Sequence, residues 1–203
     1  MEELLKNALY LFILINPVSK VAVLAALPGE REQQQDLRSL AWRSSLVAAG
    51  ILFVSMIGGD YLLRSIFRVN LHALQLAGGV VLFWVGFNAL RYGVFFEAAP
   101  SGRYETVALV PLACPMIAGP ATISASIALR AGPQGPVAAT AAMLIAVGMN
   151  HLIMLLSRPI ARALARHDLL GAIVRLTGLV VMTIGAQMAM DGISNWRSTL
   201  TGA

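Results

Sequence analysis

Charge is what this chain has least of. Only 12% of its 203 residues are Asp, Glu, Lys or Arg, against about 25% in a soluble domain. Hydrophobic residues make up 58%, and the mean hydropathy is +0.74. So few charges cannot cover a water-facing surface, which excludes a soluble globular domain and implies an integral membrane protein. Cysteine is nearly absent as well: Cys114 stands alone, so no internal disulfide can form and the redox compartment is unreadable. The three histidines are scattered; they form no metal-ligand pair at helical spacing, and no metal site is expected. A glycine-rich phosphate loop is also lacking. For intramembrane hydrolysis, the only nucleophile and base combination is Ser19 or Ser124 with His151. That is too little to assign a catalytic residue, and an enzyme is not expected. Basic and aromatic residues do not combine into a nucleic-acid surface.

Long apolar runs take the place of these missing features. Stretches near the ~20 residues that cross a bilayer cover 8–27, 44–66, 71–92, 106–129, 136–157 and 169–193. They predict an all-α integral membrane protein of six transmembrane helices joined by short loops. The segment Met1-Glu2-Glu3-Leu4-Leu5-Lys6 is acidic, and Pro17 and Lys20 interrupt the run after it. A cleaved signal peptide is therefore not expected, and the first span should remain. Arg31, Arg38, Arg43, Arg91, Arg103, Arg158, Arg162, Arg166 and Arg175 follow the first, third and fifth spans. Lys6, Arg64, Arg68, Arg130 and Arg197 fall on the opposite side. The positive-inside rule then places both termini outside the cytoplasm of a bacterial plasma (inner) membrane. Cytoplasmic loops facing anionic lipid account for the net charge of +5.

Two segments put helix breakers inside these runs: Asn16-Pro17-Val18-Ser19-Lys20, and Pro111 to Thr122, which contains Pro115, Gly119 and Pro120. Each falls early in one half of the chain, 1–98 or 99–203. Gln75–Leu82 lines up with Arg175–Met182, and Asn16-Pro17 with Gly119-Pro120. Halves of three spans enter the membrane in opposite senses, so the expected architecture is two inverted three-helix repeats with broken first and fourth helices.

The breaks carry a chemistry. Pro17 deprives the Ile13 carbonyl of its helical donor, and Pro115 and Pro120 do the same to Pro111 and Met116. Those oxygens can accept from an ammonium or Na⁺. A half-helix then begins past each break, with free N–H groups near Val18–Lys20 and Ala121–Ile123 that suit a carboxylate. A zwitterionic amino acid carries both complementary charges. The expected substrate-binding residues are Asn16, Pro17, Ser19, Pro115, Gly119, Pro120, Thr122 and Ser124. The competing roles are hydroxyls bonded back to their own helix and prolines that only kink it. Lys20, Asn150 and His151 are polar groups at membrane depth and are the expected coupling or gating residues. Their competing roles are snorkelling for Lys20 and helix-contact hydrogen bonds for Asn150 and His151. Coupling through H⁺ at His151 and through Na⁺ on freed carbonyls fit equally well; no other cofactor is expected. Asp60 and Arg64 read as an interfacial ion pair.

Asn16-Pro17, Ala73-Leu74-Gln75-Leu76-Ala77-Gly78-Gly79, the Pro111–Pro120 segment and Gly185-Ala186-Gln187-Met188-Ala189-Met190-Asp191-Gly192 together resemble the MarC family over essentially the whole chain. That family was first linked by name to multiple antibiotic resistance, and at least one member is described as moving small neutral amino acids. The first break departs from the family pattern, with Ser19 where glycine is usual and Ala22 where a second proline often follows. Most members lack an assigned substrate, so the resemblance implies a transporter family and not a substrate. Together with the zwitterion argument it leads to the expectation of a secondary transporter of small neutral amino acids or similar small metabolites, working by alternating access. An exporter of apolar compounds, a channel and a membrane scaffold without transport remain as alternatives. The expected partners are a small-molecule substrate and the lipid bilayer, with no nucleic acid; the sequence leaves the oligomeric state open.

Overall fold

The computed structural model describes residues 1–26, 34–66, 68–95, 117–166 and 169–201, apart from the side chains of 25, 26, 34–36, 60, 62, 64, 165 and 201. The described elements are α1 (Glu2–Ile15), α2 (Pro17–Ala26), α3 (Gln34–Tyr61) with a π-helical turn at Leu62–Ile66, α4 (Leu71–Tyr92), α5 (Pro120–Ala131), α6 (Gly135–Leu155), α7 (Ser157–Ala165) and α8 (Leu169–Thr201). Among the described residues, five helical segments are long and apolar enough to cross a membrane: Glu2–Leu24, Leu37–Gly59, Leu71–Tyr92, Gly135–Leu155 and Leu169–Leu200. The fourth expected span, 106–129, is described only from Ile117, and α5 is its described helical part. Pro111, Cys114, Pro115 and Met116 lie outside the described residues, as do the side chains of the expected Asp60–Arg64 pair.

Several helix limits differ from the apolar runs, each for a local reason. Helix α3 begins well before the run at 44 because its first turns are amphipathic. Leu37, Leu40 and Ala41 are buried, while Arg38, Ser39, Trp42 and Arg43 face outward, the spacing of a helix with one apolar face. Helix α8 continues to Thr201 because neither glycine nor proline stands between Gly192 and Gly202. Helix α7 packs against α2 and α8. Ala161 turns inward and Arg162 outward, the pattern of a helix lying along a membrane surface.

The broken first span is the centre of the molecule. Half of it (50%) is buried, against 22% for α4 and for α8. Helix α1 packs on α5 and α6, and α2 on α6, α7 and α8, while α3 packs on α5 and α6. Side-chain bonds tie one membrane side together. Asn7 donates to Gln134 at 2.9 Å, Asn195 to Gln75 at 3.2 Å, and Arg130 to the Met56 carbonyl at 2.7 Å and to that of Ile57. The start of α1, the end of α3, the start of α4, the α5–α6 turn and the end of α8 therefore share that side. The end of α2 and the arginine-bearing α7 lie opposite.

Helices α4 and α8 are antiparallel and touch through glycine. A Cβ on Gly79 would stand 2.5 Å from the Ala189 nitrogen, and one on Gly192 would stand 2.8 Å from the Leu76 nitrogen. Gly86 meets Met182 and Gly178, and Gly185 meets Phe83 and Gly79, just as closely. Without a hydrophobic driving force in lipid, such small-residue seams let backbones approach and gain dispersion energy. The contacts are exchange-symmetric. One constant offset relates Gly79, Gly86 and Gly93 to Gly178, Gly185 and Gly192, and it converts the Gly79–Ala189 contact into the Gly178–Leu90 contact that also occurs. This register pairs Gly79 with Gly178, one residue away from the alignment of Gly78 with Gly178 that the sequence suggests.

Candidate functional site

The sequence Asn-Pro makes the first break possible. Asn16 ends α1 with φ 56° and ψ 77°, left-handed backbone that Asn tolerates better than other residues with a Cβ. Its side chain then caps the next helix, accepting from the Ser19 N–H at 3.3 Å, while Pro17 supplies a first helical residue that needs no donor. The Asn16 N–H donates to the carbonyls of Ile13 at 3.0 Å and Phe12 at 3.2 Å. The Ile13 oxygen that Pro17 was expected to leave free is therefore occupied, because the Asn16 N–H is shared between the i−3 and i−4 carbonyls, as is common at a helix end.

Lys20 also differs from its snorkelling alternative. It is 0% exposed, and its ammonium reaches back across the break to donate to the Ile15 carbonyl and, at 3.3 Å, to that of Asn16. The Ser19 hydroxyl donates to the same Asn16 oxygen at 2.6 Å. The carbonyl end of α1 is thus already filled by groups of α2.

The second break is less elaborately capped. Gly119 precedes α5 with φ −84° and ψ 167°, and among the described residues no side chain caps the helix. Ile123 N–H bonds back to Gly119 at 2.9 Å, so the Ala121 and Thr122 amides are the first donors of α5, Pro120 having none. The backbone of α4 lies directly over this helix start: a Cβ on Gly78 would stand 3.1 Å from Ala121 N and Pro120 C.

Both breaks open onto one cavity. Asn16 and Ser19 line it from the first break and Gly119, Pro120 and Thr122 from the second, with Gly78, Val81, Leu82 and Val85 of α4 and Val181 of α8 as the facing wall. Among the described residues no Asp, Glu, Lys, Arg or His lines it. Its volume is about 80 Å³, against the ~30 Å³ that one water takes in the liquid, so it suits only a few waters or a small solute. At 1.5 Å per residue, the ten residues of α2 reach about 15 Å from the cavity to one side, and the twelve of α5 reach about 18 Å to the other. The cavity lies near the middle of a ~30 Å hydrocarbon layer.

The structure thus joins Asn16, Ser19, Gly119, Pro120 and Thr122 at one cavity; Pro17 opens α2 without lining it, and Lys20 is bonded behind the wall. Ser124 does not line the cavity; it is fully buried and its hydroxyl has no hydrogen-bond partner among the described residues. Asn150 and His151 are elsewhere too. Asn150 is fully buried, donating only weakly to Met154 sulfur at 3.4 Å with its oxygen unpartnered among the described residues. His151 Nδ1 stands 3.0 Å from Ser45 Oγ, and the ring meets Trp42 edge-on, the helix-contact role that competed with coupling. It borders a separate groove with Arg38 and Trp42. Sequence reasoning missed the α4 and α8 wall; the paired glycines Gly78-Gly79 were its available signal.

Comparison with known proteins agrees with the membrane architecture. Residues 1–197 match the model of the family described as MarC family integral membrane proteins. UPF0056 membrane protein PH0214 of Pyrococcus horikoshii is 34% identical over 192 residues, 95% of this chain and 94% of the relative. A UPF0056 membrane protein of Aquifex aeolicus is 30% identical over 199 residues, 94% of this chain and 92% of the relative. UPF0056 inner membrane protein YhgN of Escherichia coli K12 is 26% identical over 198 residues, covering 97% of this chain and 98% of that one. No solved structure matches the chain significantly. With a cavity between the break of the first span and the start of α5 and a family match along nearly its whole length, the chain belongs to the MarC family of integral membrane proteins.

Proposed function

We propose that this protein is a secondary carrier of small neutral amino acids or similar small metabolites, working by alternating access in a bacterial inner membrane with both termini outside the cytoplasm. The observation that carries this reading is the meeting of both helix breaks in one small, mid-depth cavity, the arrangement in which transporters hold substrates. The exchange-symmetric seam of α4 and α8 supports inverted repeats, since a two-fold in the membrane plane produces such pairs and lets one site face either side in turn.

The cavity favours a carboxylate over an ammonium. The uncapped amides of Ala121 and Thr122 begin a helix whose positive dipole end faces the cavity, and the Lys20 ammonium behind Ile15 and Asn16 adds attraction. At the first break the Ile13 oxygen is held by the Asn16 amide and those of Ile15 and Asn16 by Lys20 and Ser19, which leaves Asn16 Oδ1 and Ser19 Oγ there for a substrate ammonium. Valines 81, 85 and 181 suit a short apolar side chain, and the absence of a charge among the described lining residues disfavours an ionic one.

The test is thermal stabilisation of the purified protein, since any ligand of the folded state raises its melting temperature. Alanine should stabilise, propionate should retain part of the effect, and alaninamide should lose it. Stabilisation by alaninamide equal to that by alanine would contradict a carboxylate site at α5. Stabilisation by uncharged apolar compounds alone would favour an exporter of such compounds.

A further inference from the structure

Lys20 is wholly enclosed, and its place near the membrane centre makes its charge expensive unless polar partners surround it. Its ammonium, borne on the first turn of α2, donates backward to the Ile15 and Asn16 carbonyls, which project past the end of α1 because Asn16 turns left-handed. A helix C-terminus concentrates negative potential, and in broken membrane helices such carbonyl ends are what coordinates a free monovalent cation. Asn16 O also accepts from Ser19 N at 3.2 Å and from Ser19 Oγ at 2.6 Å, so donors of α2 hold the acceptors in place.

We propose that the Ile15 and Asn16 carbonyls form a monovalent-cation site whose resident cation is the tethered ammonium of Lys20. The protein then holds its broken first span together without Na⁺, and a free cation can occupy the site only when the tethered one is removed. Shortening the side chain to Ala leaves the acceptors in place and opens the space for a small cation. Replacement by Met removes the charge but keeps the stem that fills the space.

The experiment needs no substrate, so it stands or falls apart from the transport reading. The melting temperature of the purified full-length Lys20→Ala protein is titrated with NaCl and with methylammonium chloride, with choline chloride holding ionic strength constant. A rise of roughly 3–5 °C is expected for each tenfold excess of small cation over its dissociation constant. Choline should be inert, Lys20→Met should show no rise, and the wild type should be indifferent to which of the three cations is present. Three outcomes overturn the proposal: a flat Lys20→Ala titration with both small cations, Na⁺-dependent melting of the wild type, or failure to recover folded Lys20→Ala from membranes solubilised with methylammonium while Lys20→Arg is recovered folded.

Discussion

Asn16 performs two separable tasks, and substitution can pull them apart. It adopts φ 56° at the end of α1 and caps α2 through its side chain. In Asn16→Ala both are lost: the missing cap costs about 1 kcal/mol, and left-handed backbone on a residue with an ordinary Cβ costs roughly another 1 kcal/mol. At about 2–4 °C per kcal/mol for a chain of this size, Asn16→Ala should melt roughly 4–8 °C lower. Glycine adopts the left-handed turn without strain and serves as an N-cap at a cost of only a few tenths of a kcal/mol, so Asn16→Gly should melt within about 1–2 °C of wild type. Both variants lack Oδ1 in the cavity, and both should bind a stabilising amino acid about threefold to tenfold more weakly, the worth of one hydrogen bond. Melting curves with and without ligand read both quantities. Equal destabilisation by Ala and Gly would refute the backbone argument, and unchanged affinity in both would remove Asn16 from the site.

The glycine seam predicts opposite signs at two positions. Gly185→Ala drives a Cβ into the Phe83 backbone and should destabilise the fold strongly, whereas Gly148→Ala meets nothing within 4 Å and should stabilise α6 by up to about 1 kcal/mol; melting temperatures decide. Gly119 has backbone angles open to any residue, so Gly119→Val should fold, lose no more than about 1 kcal/mol from its weaker cap, and abolish ligand-induced stabilisation by filling the cavity. Full affinity in that variant would move the site elsewhere. With Cys114 replaced, Pro133→Cys should react with an impermeant thiol reagent in intact cells and Arg166→Cys should be protected. Reversed labelling would invert the topology.

Much of this was legible in the sequence because lipid leaves few options. Apolar runs must become helices there, and the run at 71–92 became α4 with the same limits. The prolines and Asn16 marked the breaks because their backbone effects are local. What the sequence could not reveal depended on direction in space. Pro17 pointed to a free Ile13 carbonyl, but the last amide of the turn, that of Asn16, is shared between Phe12 and Ile13. A lysine within an apolar run suggests snorkelling, yet the stem of Lys20 folds back toward α1. Asn150 and His151 are adjacent, but successive helical residues face different neighbours, and neither faces the cavity. The wall from Gly78 to Val85 was hidden because apolar residues facing a substrate and those facing lipid look alike in one dimension.

The central claim is that the two helix breaks build one carboxylate-binding site that is exposed alternately to the two sides of the membrane. Counterflow in proteoliposomes tests it most directly: vesicles loaded with unlabelled alanine should take up external labelled alanine saturably and transiently above equilibrium. Alaninamide inside should not drive that uptake, and Gly119→Val protein should abolish it. Saturable counterflow that survives Gly119→Val unchanged, or no counterflow with any free amino acid, would contradict the account.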